Sequence, residues 1–310
     1  MVARVATIAM NTYREAVRGR VLHALLALAL ATTVYSLVVA TLSLRQEARV
    51  VADLGAASMS LYAVLVAIVL GATSLHREIE YKTVFPILAR PLRRHEYLLG
   101  KYLGTITTLA IFVAIDGGVG MMLLGLETGQ NRSLLGGVVG LSFAVLALSV
   151  WRAKLTRVFV ILPWSVAFFA AMSWLAGSAG AERKLLAASA VLTVCEVAIV
   201  VAVATLFASF SSPAMTAVFT LGVFIVGRSA DTLAHLPVRQ FGETLHDIGQ
   251  GMARIVPNLQ VYVPPRPLLL GEVSGVSLPI FLGTAAIHAV FYASSLLVVA
   301  ALAFRRRDFQ

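Results

Sequence analysis

Long apolar runs, separated by short charged or polar segments, dominate this 310-residue sequence. A run of about 20 apolar residues is long enough to cross the hydrocarbon core of a bilayer as an α-helix. The composition agrees, since 59% of the residues are hydrophobic and 13% are charged, which is unusual for a soluble protein. We therefore predict an all-α, polytopic membrane helix bundle that forms a single domain over residues 1–310. The predicted spans lie near 21–44, 57–75, 102–125, 134–150, 158–178, 185–210, 214–228 and 278–303.

The basic residues indicate how these spans are oriented, because cytoplasmic loops carry an excess of Lys and Arg. With a cytoplasmic N-terminus, the cytoplasmic segments hold sixteen of the 25 Lys and Arg residues. A six-span alternative, in which 134–150 and 158–178 do not cross, puts Arg152, Lys154 and Arg157 outside and removes this bias. We favour eight spans, with both termini in the cytoplasm. The cytoplasmic segments are then 1–20, 76–101, 151–157, 211–213 and 304–310.

Residues 1–20 are predicted to form an amphipathic helix that lies along the membrane interface. Polar and apolar residues recur at helical spacing on its two sides. A frayed basic tail is the alternative interpretation. The polar side would carry Arg4, Asn11, Arg14 and Arg18, and the apolar side Val5, Ile8, Ala9 and Tyr13.

Residues 229–277 form the predicted extracytoplasmic segment, which is the one long stretch outside the spans. Pro and Gly residues divide it into short pieces. Within it, Leu245–Ile255 is predicted to form a short helix on the membrane surface.

A charged block, residues 76–101, separates the second span from the third. Charge of this density cannot enter hydrocarbon, so the block is predicted to lie in water or among lipid headgroups. It contains Arg77, Glu78, Glu80, Lys82-Thr83, Leu88-Ala89-Arg90-Pro91, Arg94, Glu96 and Gly100-Lys101. In this order, these residues resemble the first cytoplasmic loop of ABC-2-type transporter permeases.

Four further stretches extend the resemblance. They are Gln46 through Leu54 with Leu61-Tyr62, then Phe207 through Pro213, Pro257-Asn258-Leu259, and Phe304 through Phe309. They are similar to the bacterial branch that includes the membrane subunit of nitrous-oxide-reductase maturation transporters. The resemblance covers about residues 1–125 and 185–310. The family usually has six spans, so the stretch 130–184 is an insertion relative to it.

The resemblance implies a permease subunit of an ATP-driven exporter in a bacterial inner membrane. Two copies of the chain would pair with two copies of a separate ATPase subunit, through a coupling helix at about Tyr81–Arg90. Pro86 departs from the family pattern and is tolerable if Thr83 caps that helix. A basic loop that meets anionic lipid headgroups is the alternative, and the two are compatible. The implied coupling residues are Glu78, Glu80, Thr83, Val84, Phe85, Ile87, Leu88 and Arg90.

Two carboxylates fall inside predicted spans, Asp116 in 102–125 and Glu196 in 185–210. A carboxylate in the bilayer is costly unless it is neutralised or faces water, so each is a candidate intramembrane polar site. A structural hydrogen bond to a neighbouring helix explains either residue equally well. Asp116 precedes a glycine-rich stretch, 117–120, where a loosened helix could accept its hydrogen bonds. The rival function is a stand-alone secondary transporter or channel that uses Glu196 and Asp116.

Other functions find no support in the sequence. The net charge of +10 is clustered beside apolar runs, which indicates topology and not nucleic-acid binding. The six histidines lack metal-ligand spacing, although His235 with His246-Asp247 is an alternative metal site. No catalytic motif and no Walker A loop occur. We therefore expect no cofactor on this chain, no enzymatic activity of its own, and ATP bound by the partner.

Small residues four positions apart recur at Gly100/Gly104, Gly125/Gly129 and Gly136/Gly140. This spacing permits close helix packing in membranes. We expect these pairs to pack within one subunit, with a dimer interface as the alternative.

Overall fold

The computed structural model describes residues 2–80, 94–153, 156–236, 238–270 and 277–305. Within these ranges the chain forms helices and no strand. The helices are α1 (Val2–Val17), α2 (Arg20–Thr41), α3 (Glu47–Glu80), α4 (Arg94–Glu127), α5 (Arg132–Arg152), α6 (Ile161–Leu175), α7 (Ala181–Ala208), α8 (Pro213–Arg228), α9 (Ala230–Ala234), α10 (Val238–Ile255), α11 (Arg266–Leu270) and α12 (Leu278–Arg305).

Seven stretches of the described chain are long and apolar enough to cross a bilayer. Three of them are the whole of α2, α5 and α7, and three are the greater part of α3, of α4 and of α12. The seventh is α6 together with the 3₁₀ turns at its two ends. The expectation of an all-helical, multi-pass membrane protein is confirmed at this level. Helix α8 has 16 residues and a length of about 24 Å, which is shorter than a hydrocarbon core of about 30 Å. The number eight therefore stays a prediction.

Helices α3, α4 and α7 form the centre of the bundle. In their most apolar stretches 56%, 67% and 67% of the residues are buried, against 6% for α5 at the periphery. A Cβ on Gly71 of α3 would lie 2.5 Å from the Cβ of Ala204 in α7. This contact requires glycine, because a small residue lets two helix backbones approach closely.

Helix α1 packs across the start of α4. A Cβ on Gly104 would lie 2.4 Å from the backbone oxygen of Ala9, and Gly100 makes a similar close contact. The Tyr13 hydroxyl donates a 2.7 Å hydrogen bond to the Val158 carbonyl. The frayed-tail interpretation is therefore wrong over Val2–Val17, which is helical and docked.

Both described chain ends lie at the same end of the bundle. Phe304, near the end of α12, is fully buried in a cluster with Tyr97 of α4, and Ile8 of α1 packs against that cluster. We call this the proximal end. The opposite end, where Asp53 of α3 and Glu182 of α7 lie, is the distal end.

The charged block 76–101 is more helical than the sequence suggested. Helix α3 continues to Glu80 and α4 begins at Arg94, so part of the block extends two long helices. Glu96 and Lys101 are 3% and 4% exposed. The expectation that the whole block is solvated is wrong for these two side chains. Helix α1 covers them and supplies opposite charges, Arg4 at 3.9 Å from Glu96 and Glu15 at 3.7 Å from Lys101.

The segment 229–277 includes a helix over the predicted Leu245–Ile255, namely α10. The conformation of Gly242 (φ 80°, ψ 164°) interrupts α10 and is one that residues with a side chain rarely adopt. After α10 the chain packs into the bundle. The Leu259 N–H donates a 2.9 Å hydrogen bond to the Gly227 carbonyl, and Leu259 and Tyr262 are 1% and 3% exposed. This part of the predicted outer segment is therefore buried protein.

Candidate functional site

A cavity of about 310 Å³ lies between α3, α7, α8 and the buried part of the segment that precedes α12. This volume falls in the range of small-molecule sites, which combine apolar walls with a few polar groups. We call it the distal cavity. Its apolar walls include Leu61, Leu185, Phe224 and Leu269, its hydroxyls are Ser60, Ser189, Thr193 and Tyr262, and its ionic side chains are Asp53, Arg228 and Arg266.

Glu196, one of the two predicted intramembrane carboxylates, lies behind the wall of this cavity. Its side chain is completely buried. The Arg228 side chain donates to Glu196 Oε1, and the Ser60 hydroxyl donates to Oε2 at 3.1 Å. The carboxylate is thus neutralised by an arginine and bonded to two neighbouring helices, which supports the structural interpretation of this residue.

Arg228 is the counter-ion of Glu196 and lines the distal cavity. It is the last residue of α8, where a positive charge is favoured by the helix dipole. Its guanidinium lies 5.7 Å from the centre of the Phe224 ring, within range of a cation–π interaction. Because the side chain is 29% exposed and lines the cavity, it links the buried Glu196 to the cavity interior.

Arg266 forms a second ionic centre, which the sequence did not reveal. It begins α11 and donates to Asp53 of α3 and to Glu182 of α7. Arg49 adds a contact to Asp53 at 3.7 Å. One guanidinium therefore ties three helices together at the distal end. The sequence does show an acidic residue near the start of two apolar runs, Asp53 and Glu182. It does not show that both pair with Arg266, which is far away along the chain.

Tyr262 places a hydroxyl between the cavity and α12. Its Oη lies 2.9 Å from His288 Nδ1 and 3.3 Å from the Ala285 carbonyl oxygen. The hydroxyl therefore donates to the α12 backbone and contacts the His288 ring, which ties the segment before α12 to that helix.

Asp116 belongs to a different polar cluster. It is 1% exposed, and the Thr33 hydroxyl donates to its Oδ1 at 2.9 Å. Thr33 also lies 2.8 Å from the Ser58 hydroxyl. The other carboxylate oxygen of Asp116, Oδ2, has no hydrogen-bond partner among the described residues. The structure does not bring Asp116 into the lining of the distal cavity.

The predicted loosening of the helix after Asp116 is wrong. Helix α4 continues unbroken through residues 117–120. The glycines serve packing instead: a Cβ on Gly118 would lie 2.6 Å from the Phe168 ring, and one on Gly117 would lie 3.0 Å from Phe169. These positions are small so that α6 can approach α4 closely.

The coupling residues inferred from the resemblance are not tested by the geometry. Thr83, Val84, Phe85, Ile87, Leu88 and Arg90 lie outside the described residues, as do the side chains of Glu78 and Glu80. The described helices on either side, α3 and α4, meet this segment at the proximal end.

The alternative metal site on the distal histidines is not supported. Within the described ranges, no group of three or more His, Cys, Asp or Glu side chains could hold a metal ion. His235 Nδ1 contacts the Asp231 carbonyl at 2.8 Å. His246 contacts the Leu236 carbonyl at 2.8 Å and Gln250 at 3.1 Å. Each ring is thus engaged locally.

Comparison with known proteins adds no family assignment. No protein-family model matches the chain, and no curated protein matches it significantly. The site must be interpreted from its own geometry and from the sequence motifs.

Proposed function

We propose that this chain is the membrane-spanning subunit of an ATP-driven exporter of the ABC-2 type, which its motif order resembles. The observation that carries the proposal is the charged segment between α3 and α4. In sequence it combines the apolar residues Val84, Phe85, Ile87 and Leu88 with flanking charges. The helices on either side meet it at the end where α1 and the last turns of α12 also lie. The sequence contains no Walker A loop, so in this proposal a partner ATPase would bind and hydrolyse ATP.

The proposed arrangement has eight crossings in a bacterial inner membrane, with the proximal end in the cytoplasm. Helix α8 and the buried residues that follow it would together make the seventh crossing. Irregular backbone is tolerated at membrane depth where protein surrounds it, and Leu259 and Tyr262 are surrounded. Helix α1 would lie along the cytoplasmic interface. An even number of crossings agrees with two chain ends at one end of the bundle.

In this proposal the coupling residues 78–90 dock into the ATPase, and two copies of each subunit form the transporter. Closure of the ATPase pair would move the α3 and α4 ends and so shift the helices around the distal cavity. Three of these helices are tied by Arg266 and two by the pair of Glu196 and Arg228. Ionic ties of this kind hold one discrete arrangement and can exchange partners in another.

A stand-alone secondary transporter is the second candidate. Asp116 favours it, because a buried carboxylate oxygen that has no partner among the described residues is a place where a proton or cation could bind. Glu196 argues against it, because its carboxylate is already bonded to Arg228 and Ser60. We therefore place the ATP-driven function first.

Affinity purification of the tagged chain from its native membrane tests the proposal. We expect an ATPase with Walker motifs to co-purify. Changing Phe85 and Leu88 together to Asp should release it, because loss of a central apolar anchor typically costs about 2 kcal/mol or more. Reversing Arg93 and Arg94 to Glu is the matched control, since exposed ion pairs contribute about 0–1 kcal/mol.

Two outcomes would reject this function. One is undiminished ATPase recovery with the Phe85 and Leu88 double variant, which would remove the docking assignment. The other is a wild-type chain that recovers no ATPase and transports in proteoliposomes under a proton gradient alone. If Asp116→Asn then abolished that transport, the secondary transporter would replace the ATP-driven one.

A further inference from the structure

A second cavity, of about 330 Å³, opens at the proximal end where α1, α2, α3 and α4 meet. We call it the proximal cavity. One part of its lining is basic, with Arg18 on the short turn between α1 and α2 and Arg20 at the start of α2. Another part is apolar and includes Leu22, Val69 and Leu70. The cavity therefore offers cationic and hydrocarbon-like surfaces side by side.

The charge balance of the proximal cavity is positive. Its one acidic lining residue, Glu15, lies 3.7 Å from the Lys101 ammonium. Lys101 is 4% exposed and also donates a 3.0 Å hydrogen bond to the Ser74 carbonyl. The buried Lys101 ammonium therefore offsets the negative charge of Glu15 in the cavity lining. Arg18 and Arg20 are exposed, line the cavity and form no ion pair with any residue in the described ranges, so their charges are available to a ligand.

Three hydroxyl side chains also line the cavity, Thr73 and Ser74 of α3 and Thr105 of α4. The hydroxyls of Thr73 and Thr105 donate to backbone carbonyls of their own helices, so they contribute polar surface and no spare donor. The N-cap of α2, Gly19, supplies no side chain to its first-turn N–H groups, so these N–H groups remain available at the rim. These N–H groups are additional donors, and the main features of the site are the two arginines and the enclosed volume.

We propose that the proximal cavity binds the phosphate headgroup of an anionic phospholipid. Guanidinium groups recognise phosphate through charge-assisted hydrogen bonds, and basic pockets between membrane helices are suited to anionic headgroups. The apolar wall formed by Leu22, Val69 and Leu70 would contact the first part of an acyl chain. A free phosphate ion would leave that wall in water, which is why the lipid is the preferred source of the phosphate. The inference does not depend on a partner ATPase.

Native mass spectrometry of the full-length, detergent-purified chain tests this site. The probes are phosphatidylglycerol and phosphatidylcholine at equal concentration. We expect the wild type to retain phosphatidylglycerol preferentially. Changing Arg18 and Arg20 together to Gln should lower that preference about thirtyfold, since each of the two basic side chains contributes about 1 kcal/mol near an anionic surface and 1.4 kcal/mol is a factor of ten. The matched control is Arg152→Gln with Arg157→Gln, which removes the same charge from exposed residues outside the cavity.

Two further arms make the result decisive. Thr73→Phe fills the cavity without changing charge and should also reduce retention of phosphatidylglycerol. Excess inorganic phosphate should not displace the lipid; complete displacement would mean that a free anion is the ligand and would overturn the proposal. Equal retention of both lipids, an unaffected Arg18 and Arg20 double variant, or an equal loss in the control pair would overturn it as well. Circular dichroism checks that each variant is folded.

Discussion

At the scale of single residues, the sequence identified the carboxylates inside the apolar spans, Asp116 and Glu196, but not the residues that pair with them. Glu196 stands out because it interrupts an apolar run. Arg228 is 32 residues away, on a helix whose depth depends on how its 16 residues pack against α7. Periodicity does not define that depth. The pair therefore appears only when α7 and α8 are placed together.

The two members of this pair differ in exposure, and this difference gives a prediction. Arg228→Gln leaves a fully buried carboxylate without its counter-ion, and removing one partner of a buried pair costs about 3–5 kcal/mol. Glu196→Gln leaves a guanidinium that is 29% exposed to the cavity and should cost less. Thermal unfolding in detergent measures both changes.

The double variant of Glu196→Gln and Arg228→Gln provides the control. If the two charges interact as the structure places them, the double variant should be more stable than the sum of the single losses predicts. Strictly additive losses would contradict the pairing. Ser60→Ala should produce a smaller loss than Arg228→Gln, because Ser60 contributes one neutral hydrogen bond.

At the scale of helices, small-residue spacing was visible in the sequence, but its use was not. Three glycine pairs fit the same pattern. The Gly100/Gly104 pair contacts α1 closely, whereas no atom of the described residues lies within 4 Å of a Cβ added to Gly136 or Gly140 on α5. The expectation of packing within one subunit is thus confirmed for the first pair and wrong for the last. Glycines four residues apart place a flat, small-residue face on a helix. Whether another helix packs on that face depends on the arrangement of the bundle, which the spacing does not encode.

Gly104→Ala tests the docking of α1. The added methyl would lie 2.4 Å from the backbone oxygen of Ala9, so α1 must move, and overpacking of this kind costs about 1–3 kcal/mol. We expect a lower unfolding temperature and faster trypsin cleavage at Arg14. Gly136→Ala is the matched control, because it adds the same methyl in open space and favours the helix. Equal effects of the two substitutions would contradict the docked α1.

For the segment before α12, the sequence predicted local structure but not burial. Pro and Gly residues correctly predicted short pieces and a helix at Leu245–Ile255. The same pattern suggested that the whole segment lies outside, although Leu259 and Tyr262 are buried against α8 and α12. Burial of an irregular stretch depends on distant helices that leave room for it, and no local pattern encodes that space.

At the scale of the whole molecule, hydropathy predicted the class of fold because each apolar run is long enough to form a helix on its own. The length of α3 and α4 was underestimated. The first turns of α4 carry charges, Glu96 and Lys101, that hydropathy assigns to a loop. Helix α1 places an opposite charge beside each of them. The coupling of an amphipathic N-terminal helix to charged helix ends is therefore a property of the assembled bundle.

The connection between α5 and α6 decides the topology, and cysteine labelling can locate it. In a Cys195→Ala background, which has no other cysteine, single cysteines replace Lys154 at this connection and Gln130 at the distal end of α4. With a membrane-impermeant maleimide on intact cells, eight crossings predict labelling at position 130 and protection at 154 until the membrane is permeabilised. Labelling of both positions from outside would mean that α5 and α6 do not cross, as in the six-span alternative. Protection at 130 with labelling at 154 would mean that the whole bundle is inverted, and the charge asymmetry would then have to be explained by something other than cytoplasmic retention of basic loops.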